Sequence, residues 1–173
     1  AEVERSLRIL DGVVVIFCAK GGVEPQSETV WRQADKYHTP RIAYINKMDA
    51  VGADYVRVVE QIKVRLGAHP VIMTLPVVEN DTLAGVIDLI KMVYITFGGR
   101  LGNDVQEQEI PEQYKQEAEH NRQLMIESIA ELDEALLEPY LNNETIGEGE
   151  IVAAVHRQTV ANNMVPVICG SSY

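Results

Sequence analysis

Arg41-Ile42-Ala43-Tyr44-Ile45-Asn46-Lys47-Met48-Asp49 joins an apolar run to a short polar motif, and its reading decides the fold. The run follows Pro40 and has the continuous apolar character of a parallel strand covered on both faces. A parallel strand that ends in Asn-Lys-x-Asp places a carboxylate at the carboxyl edge of an α/β sheet, the edge at which such folds bind ligands. Asp49 can there accept two hydrogen bonds from adjacent donors on one planar base. Guanine offers such a pair, on N1–H and the exocyclic amine; adenine does not. Taken alone, the four residues leave a second reading open, with Asp49 as the N-cap of the next helix and Asn46 as a turn residue.

Working outward, the flanks read as strand–helix–strand–helix. Residues 2–10 resemble the end of a helix with Val3, Leu7 and Leu10 on one face, broken by Asp11-Gly12. Residues 13–17 form a β-branched and aromatic run typical of a strand covered on both faces. Gly21-Gly22 and Pro25 mark a loop, and Ser27-Glu28 opens a helix to about residue 37. A second helix is expected over residues 49–66, with Val51, Tyr55, Val58, Val59 and Ile62 inward. This alternation predicts a parallel sheet with right-handed crossovers.

After Gly67 the pattern changes. Residues 69–78, 83–90 and 92–97 read as three strands of an antiparallel meander, the first two joined by a tight turn at Asn80-Asp81. One long helix is expected from Pro111 through Leu132 and Leu136 to near Leu141, and another over residues 148–161. Residues 165–169 return to a buried-strand pattern and lead into Gly170-Ser171-Ser172-Tyr173. The fold class is therefore α/β: part of a doubly wound parallel sheet (residues 1–67 and 163–173) carrying an inserted α+β subdomain (residues 68–162).

At 173 residues, 46% hydrophobic and 24% charged, the chain suits one domain, or one domain with an insertion. No stretch approaches the roughly 18 uninterrupted apolar residues of a membrane span, and the first residues lack the apolar core of a signal peptide. The net charge of −11 is concentrated: residues 104–150 hold 14 Asp/Glu against 2 Lys/Arg, which leaves the remainder nearly neutral. Such a segment does not dock on nucleic acid, whose phosphates need Lys and Arg. It reads as a solvated helical face or as an acidic surface for a basic protein partner. Cys18 and Cys169 form no metal-type or redox-type motif and read as reduced, small hydrophobic residues of a cytoplasmic protein. His38, His69, His120 and His156 lack metal-ligand spacing, and no Ser/His/Asp set stands at strand ends, so no catalytic residue and no metal ligand is assigned. Trp31 is read as a core residue of an apolar helix face.

Four stretches together carry a family resemblance: Val3 to Gly12, Gly21 to Ala34 (with Gln26-Ser27-Glu28-Thr29-Val30-Trp31-Arg32-Gln33), Asn46-Lys47-Met48-Asp49, and Cys169-Gly170-Ser171-Ser172. They resemble bacterial elongation factor G, a translational GTPase, and the similarity covers essentially the whole chain. The resemblance implies GTP or GDP as the bound nucleotide. Asp49 would take the guanine N1 and amine protons, Asn46 would face the major-groove edge of the base and tie adjacent loops, and Lys47 would lay its stem along the ring. Met48 belongs to the same loop. Gly170, Ser171 and Ser172 would form a second base-contacting loop, with main-chain N–H groups of the serines towards the guanine carbonyl. Ser172 departs from the family, which often has Ala there.

The sequence contains no G-x-x-x-x-G-K-[ST], so phosphate and Mg²⁺ contacts are not expected from this chain, although the parent would use Mg²⁺. It reads as a section of a GTPase domain that chooses the base without gripping the nucleotide and is silent in catalysis alone. For the parent the resemblance implies ribosomal translocation driven by GTP hydrolysis, with the ribosome and its stalk protein as partners. The alternatives are an acidic stalk-binding module or the equivalent part of a ribosomal-protection or release-factor GTPase. The strand over residues 13–17 is expected to have an open edge and to favour self-association.

Overall fold

The computed structural model describes residues 2–99 and 102–172. Its elements run α1 (Glu2–Leu7), β1 (Val13–Cys18), α2 (Pro25–Lys36), β2 (Arg41–Asn46), α3 (Tyr55–Leu66), β3 (Pro70–Ile72), β4 (Thr74–Glu79), β5 (Thr82–Asp88), β6 (Val93–Gly98), β7 (Asp104–Gln108), α4 (Glu112–Ala130), α5 (Glu134–Leu141), α6 (Glu148–Val160) and β8 (Val165–Cys169). Two sheets result. The first is parallel, in the order β1-β2-β8-β3; the second is antiparallel, in the order β4-β5-β6-β7.

The order of the first sheet is what builds a site. After β2 the chain leaves through α3 to β3, and its last strand, β8, inserts between β2 and β3. Ala43 pairs with Val167, and Ile45 with Cys169. The residues that follow β2 and β8 therefore emerge side by side at one carboxyl edge. Beneath them Phe17, Ala43, Ile45, Val58, Ile62, Val71 and Val167 are buried in one continuous core that extends through Leu75, Ile87 and Leu89 to Ile129, Leu136 and Ile151. Trp31 belongs to this core, with its ring centroid 6.1 Å from that of Phe17.

Several expectations need correction. The helix over residues 2–10 ends at Leu7; Leu7 is buried, while Val3 and Leu10 are exposed. The first strand is covered on one face only: Val15 and Phe17 are buried, but Val14 is 58% and Ile16 62% exposed, since alternate side chains point to opposite faces and the second face is left open. Arg41 opens the apolar run yet is itself buried. It is accommodated by Asp35 at 2.6 Å, the Trp31 carbonyl at 3.3 Å and the Trp31 ring face at 4.7 Å.

The stretch 69–78, read as one strand, is two. Pro70–Ile72 pairs parallel with β8, and Thr74–Glu79 starts the antiparallel sheet, so the chain changes sheets at Met73. The turn at Asn80-Asp81 has positive φ at both residues (50° and 57°), as a two-residue hairpin requires. Sequence reasoning missed β7: all five of its residues are exposed, so no apolar alternation marks it, and only its ladder with β6 defines it. The long helix expected over residues 111–141 is broken. α4 ends at Ala130 and Asp133 caps α5, its carboxylate accepting from Ala135 N at 3.2 Å. The same carboxylate accepts Arg157 Nε and Nη2 at 3.0 and 2.9 Å and Gln158 Nε2 at 2.9 Å, which fastens α6 to the break. The Arg157 hydrogen bond, aided by Gln158, holds the Asp133 carboxyl down at about 2.

Candidate functional site

Two loops meet at the carboxyl edge, and the bonds between them come from residues more than a hundred positions apart. At the end of β2, Asn46 O accepts from Ala19 N at 2.9 Å, which ties the strand to the loop after β1. Lys47 takes a left-handed conformation, φ 62°, unusual for a residue with a Cβ. This turn directs the Lys47 N–H back to Asn46 Oδ1 at 2.9 Å. Met48 is buried, and its N–H donates to Gly170 O at 3.2 Å, while Gly170 N donates to Ile45 O at 3.0 Å. The two main chains are thereby zipped beyond the end of the sheet.

Side chains extend the zipper. Ser171 Oγ donates to Asp49 Oδ1 at 2.5 Å, and Asn46 Nδ2 lies 3.1 Å from Ser172 Oγ. Asp49 Oδ2 makes no hydrogen bond to the described residues. The N-cap reading of Asp49 fails on geometry. The cap of α3 is Asp54, whose Oδ1 accepts from Arg57 N at 2.9 Å, and residues 49–53 form a turn in which Ala53 N donates to Ala50 O. The helix expected from residue 49 thus begins at Tyr55, and Val51, expected inward, is 82% exposed. Asn46 and Asp49 are half-buried, and Lys47 and Ser172 are exposed, so the polar rim faces solvent above a closed apolar floor.

Two contributors were not read from the sequence. Tyr44 lies under the second loop: a Cβ added at Gly170 would stand 2.1 Å from the Tyr44 hydroxyl oxygen, so any larger residue there requires the ring or the loop to shift. The signal available was a glycine directly after a buried strand. The other is the loop after β1, where Gly22 N donates to Cys18 O at 2.7 Å, Arg57 Nη2 to Lys20 O at 2.6 Å and Asp54 N to Ala19 O at 3.0 Å. Gly22 has φ 72°, and a Cβ there would meet Gln61 Oε1 at 2.0 Å. Gly21-Gly22 after a strand was visible in the sequence as a loop; its place beside Asn46 follows only from the Cys18–Asn46 register. The two cysteines end β1 and β8 and are unpaired. Burial pushes the Cys169 thiol up to about 11, whereas the Gly21 N–H holds that of Cys18 below its ordinary value.

Chemically, this edge offers a carboxylate with one oxygen fixed and one available, a carboxamide held in place, main-chain groups of a glycine-serine loop and an exposed lysine stem. That donor and acceptor set fits a planar heterocycle with two adjacent N–H donors better than it fits a phosphate, which accepts only. Among the described residues no three His, Cys, Asp or Glu side chains converge as a metal site. Nor is any helix among them long and apolar enough to cross a membrane.

Comparison with known proteins gives concordant results. The family described as "Elongation factor Tu GTP binding domain" matches residues 1–173. Elongation factor G 1 of Syntrophomonas wolfei subsp. wolfei is 63% identical over all 173 residues, which span 26% of that protein's length. A crystal structure of a protein from Thermus thermophilus superposes with a TM-score of 0.86 at 27% identity, over 99% of this chain and 25% of the other. The chain thus corresponds to about a quarter of the relatives it matches.

Proposed function

Because the chain belongs to the family of elongation factor Tu-type GTP-binding domains, we propose that it is the base-reading part of a translation elongation factor of the G type, a protein that hydrolyses GTP to drive tRNA and mRNA through the ribosome. In this reading Asp49 accepts the guanine N1–H and amine protons, and Ser171 holds the carboxylate in the plane the base requires. A carboxylate so placed rejects a base that lacks the donor pair, since its buried lone pairs would go unmatched. Asn46 faces the acceptors on the major-groove edge, the Lys47 stem covers the ring, and main-chain N–H groups of Ser171 and Ser172 meet the carbonyl oxygen. Met48 and Gly170 hold the two loops together from below.

The observation that carries the proposal is the zipper itself: Asp49 to Ser171 and Asn46 to Ser172, joined across a sheet whose topology forces them to one edge. The remaining assignments follow the family. The base-reading α/β part holds β1, β2, β3 and β8, the inserted α+β part starts where the chain leaves the parallel sheet at Met73, and the acidic helices face a ribosomal stalk protein. The parent acts in the cytoplasm, with Mg²⁺ supplied to the nucleotide phosphates elsewhere. The family match favours this over a stalk-binding module with the sheet as mere scaffold.

Calorimetric titration of the 173-residue chain with GDP tests the division of labour. With the base contacts alone, no saturable binding is expected at micromolar concentration. Tight, Mg²⁺-dependent binding would refute it.

A further inference from the structure

The Asn46 carboxamide is held at both ends. Lys47 N–H can only donate, so the oxygen of the amide must be the atom that faces it, at 2.9 Å. That fixes Nδ2 on the opposite side, 3.1 Å from Ser172 Oγ, where the amide donates and the hydroxyl accepts. Of the two Nδ2 hydrogens one is spent on Ser172; the other remains for a ligand. An alanine at 172 would keep every main-chain bond of the loop and lose only this one. The Lys47 N–H bond to Oδ1 would then be the one hydrogen bond left, among the described residues, on a side chain that can rotate about two bonds.

From this arrangement we propose that Ser172 is a positioning residue for base recognition: its hydroxyl presets the Asn46 amide so that the remaining Nδ2 hydrogen meets an acceptor on the major-groove edge of the purine. The proposal rests on the base-reading role given to this edge above. On that edge guanine presents N7 and O6, both acceptors, and a single N–H donor held at the loop's level pairs with N7. Ser172 therefore acts through Asn46 and not through Asp49, and the two serines divide the work. Ser171 fixes the acceptor for the donor edge of the base; Ser172 fixes the donor for its acceptor edge.

Two measurements on the 173-residue chain decide this. Without ligand, the side-chain amide protons of Asn46, read by ¹⁵N NMR, should be displaced from free-amide positions and slow to exchange with solvent in the wild type, move to free-amide positions in Ser172→Ala and recover in Ser172→Thr, which retains the hydroxyl. An unchanged Asn46 amide in Ser172→Ala would overturn the proposal. With ligand, shift titrations at millimolar GMP, 7-deaza-GMP and IMP are compared. Ser172→Ala should weaken GMP by about three- to tenfold, the loss of one hydrogen bond's preorganisation, and leave 7-deaza-GMP, which has no N7 acceptor, unaffected. Equal losses for the two nucleotides would overturn the positioning role. Failure of the wild type to prefer GMP over IMP, which lacks the exocyclic amine, would overturn the base-reading role instead, and the ligand-free amide signal then still decides the clamp.

Discussion

Replacing Gly170 by alanine places a methyl group 2.1 Å from the Tyr44 hydroxyl oxygen and 3.1 Å from Tyr44 Cζ. The main chain on either side cannot yield cheaply, so the Tyr44 ring must turn aside or the loop must lift. Gly170 is pinned by its N–H to Ile45 O at 3.0 Å and by its carbonyl to Met48 N at 3.2 Å, while Tyr44 sits in the middle of β2, paired with Ile16 on one side and Ile168 on the other. Overpacking of this kind costs about 1–3 kcal/mol, and lifting the loop to relieve it gives up a hydrogen bond of roughly 1 kcal/mol. Gly170→Ala should therefore destabilise the chain by about 2–3 kcal/mol. In urea unfolding followed by far-ultraviolet circular dichroism this is a midpoint drop of about 1 M. Tyr44→Phe alone should stay within about 0.5 kcal/mol. The double variant loses the hydroxyl that makes the 2.1 Å contact and should recover about 1 kcal/mol or more of the alanine penalty, a coupling of the size expected for residues in contact. A Gly170→Ala midpoint equal to wild type, or a double variant no more stable than Gly170→Ala, would refute the close-packing argument.

Other consequences can be checked separately. In the full-length parent, Asp49→Asn should shift nucleotide preference from guanine towards xanthine, because an amide can donate to the carbonyl that replaces the exocyclic amine; unchanged guanine selectivity in a competition assay would contradict the role of Asp49. Asp133 has a folded pKa of about 2 against an ordinary 3.8, so its contribution, on the order of 2 kcal/mol, is present above about pH 4 and lost as pH falls towards 2. Arg157→Ala should flatten that part of the stability–pH curve while lowering stability at pH 7, and an unaltered acid limb would count against the ion pair. Exposed Val14 and Ile16 on the outermost strand should drive association at high concentration; sedimentation should show Val14→Lys/Ile16→Lys remaining monomeric where the wild type does not, and a wild type monomeric at all concentrations would dismiss it.

What the sequence made legible follows the strength of its periodic signals. The buried runs before Asn46 and before Gly170 are short, apolar and bounded by turn residues, and both became central strands of the parallel sheet. Elements whose boundaries depend on a polar residue's partner were not legible. Asp133 looks like one more acid on a helical face until Arg157, twenty-four residues later, makes it a cap and a junction. Asp49, read in sequence as a possible cap, instead meets Ser171, which is distant in the chain, and Asp54 caps α3. β7 has no buried residue to announce it. The resemblance named residues that the fold brings to one carboxyl edge. What it left out was the means of assembly, the Tyr44–Gly170 contact and the Ser172–Asn46 bond, because these depend on a tyrosine hydroxyl and a serine hydroxyl whose partners lie more than a hundred residues away.

Whether this edge reads guanine is the decisive question. Backbone NMR of the 173-residue chain titrated with millimolar GMP and, separately, AMP tests it directly. GMP-induced shifts should centre on Asn46, Lys47, Met48, Asp49, Gly170, Ser171 and Ser172, with none of comparable size for AMP. Equal responses to the two nucleotides at those residues, or GMP shifts that avoid them, would contradict guanine reading at this edge.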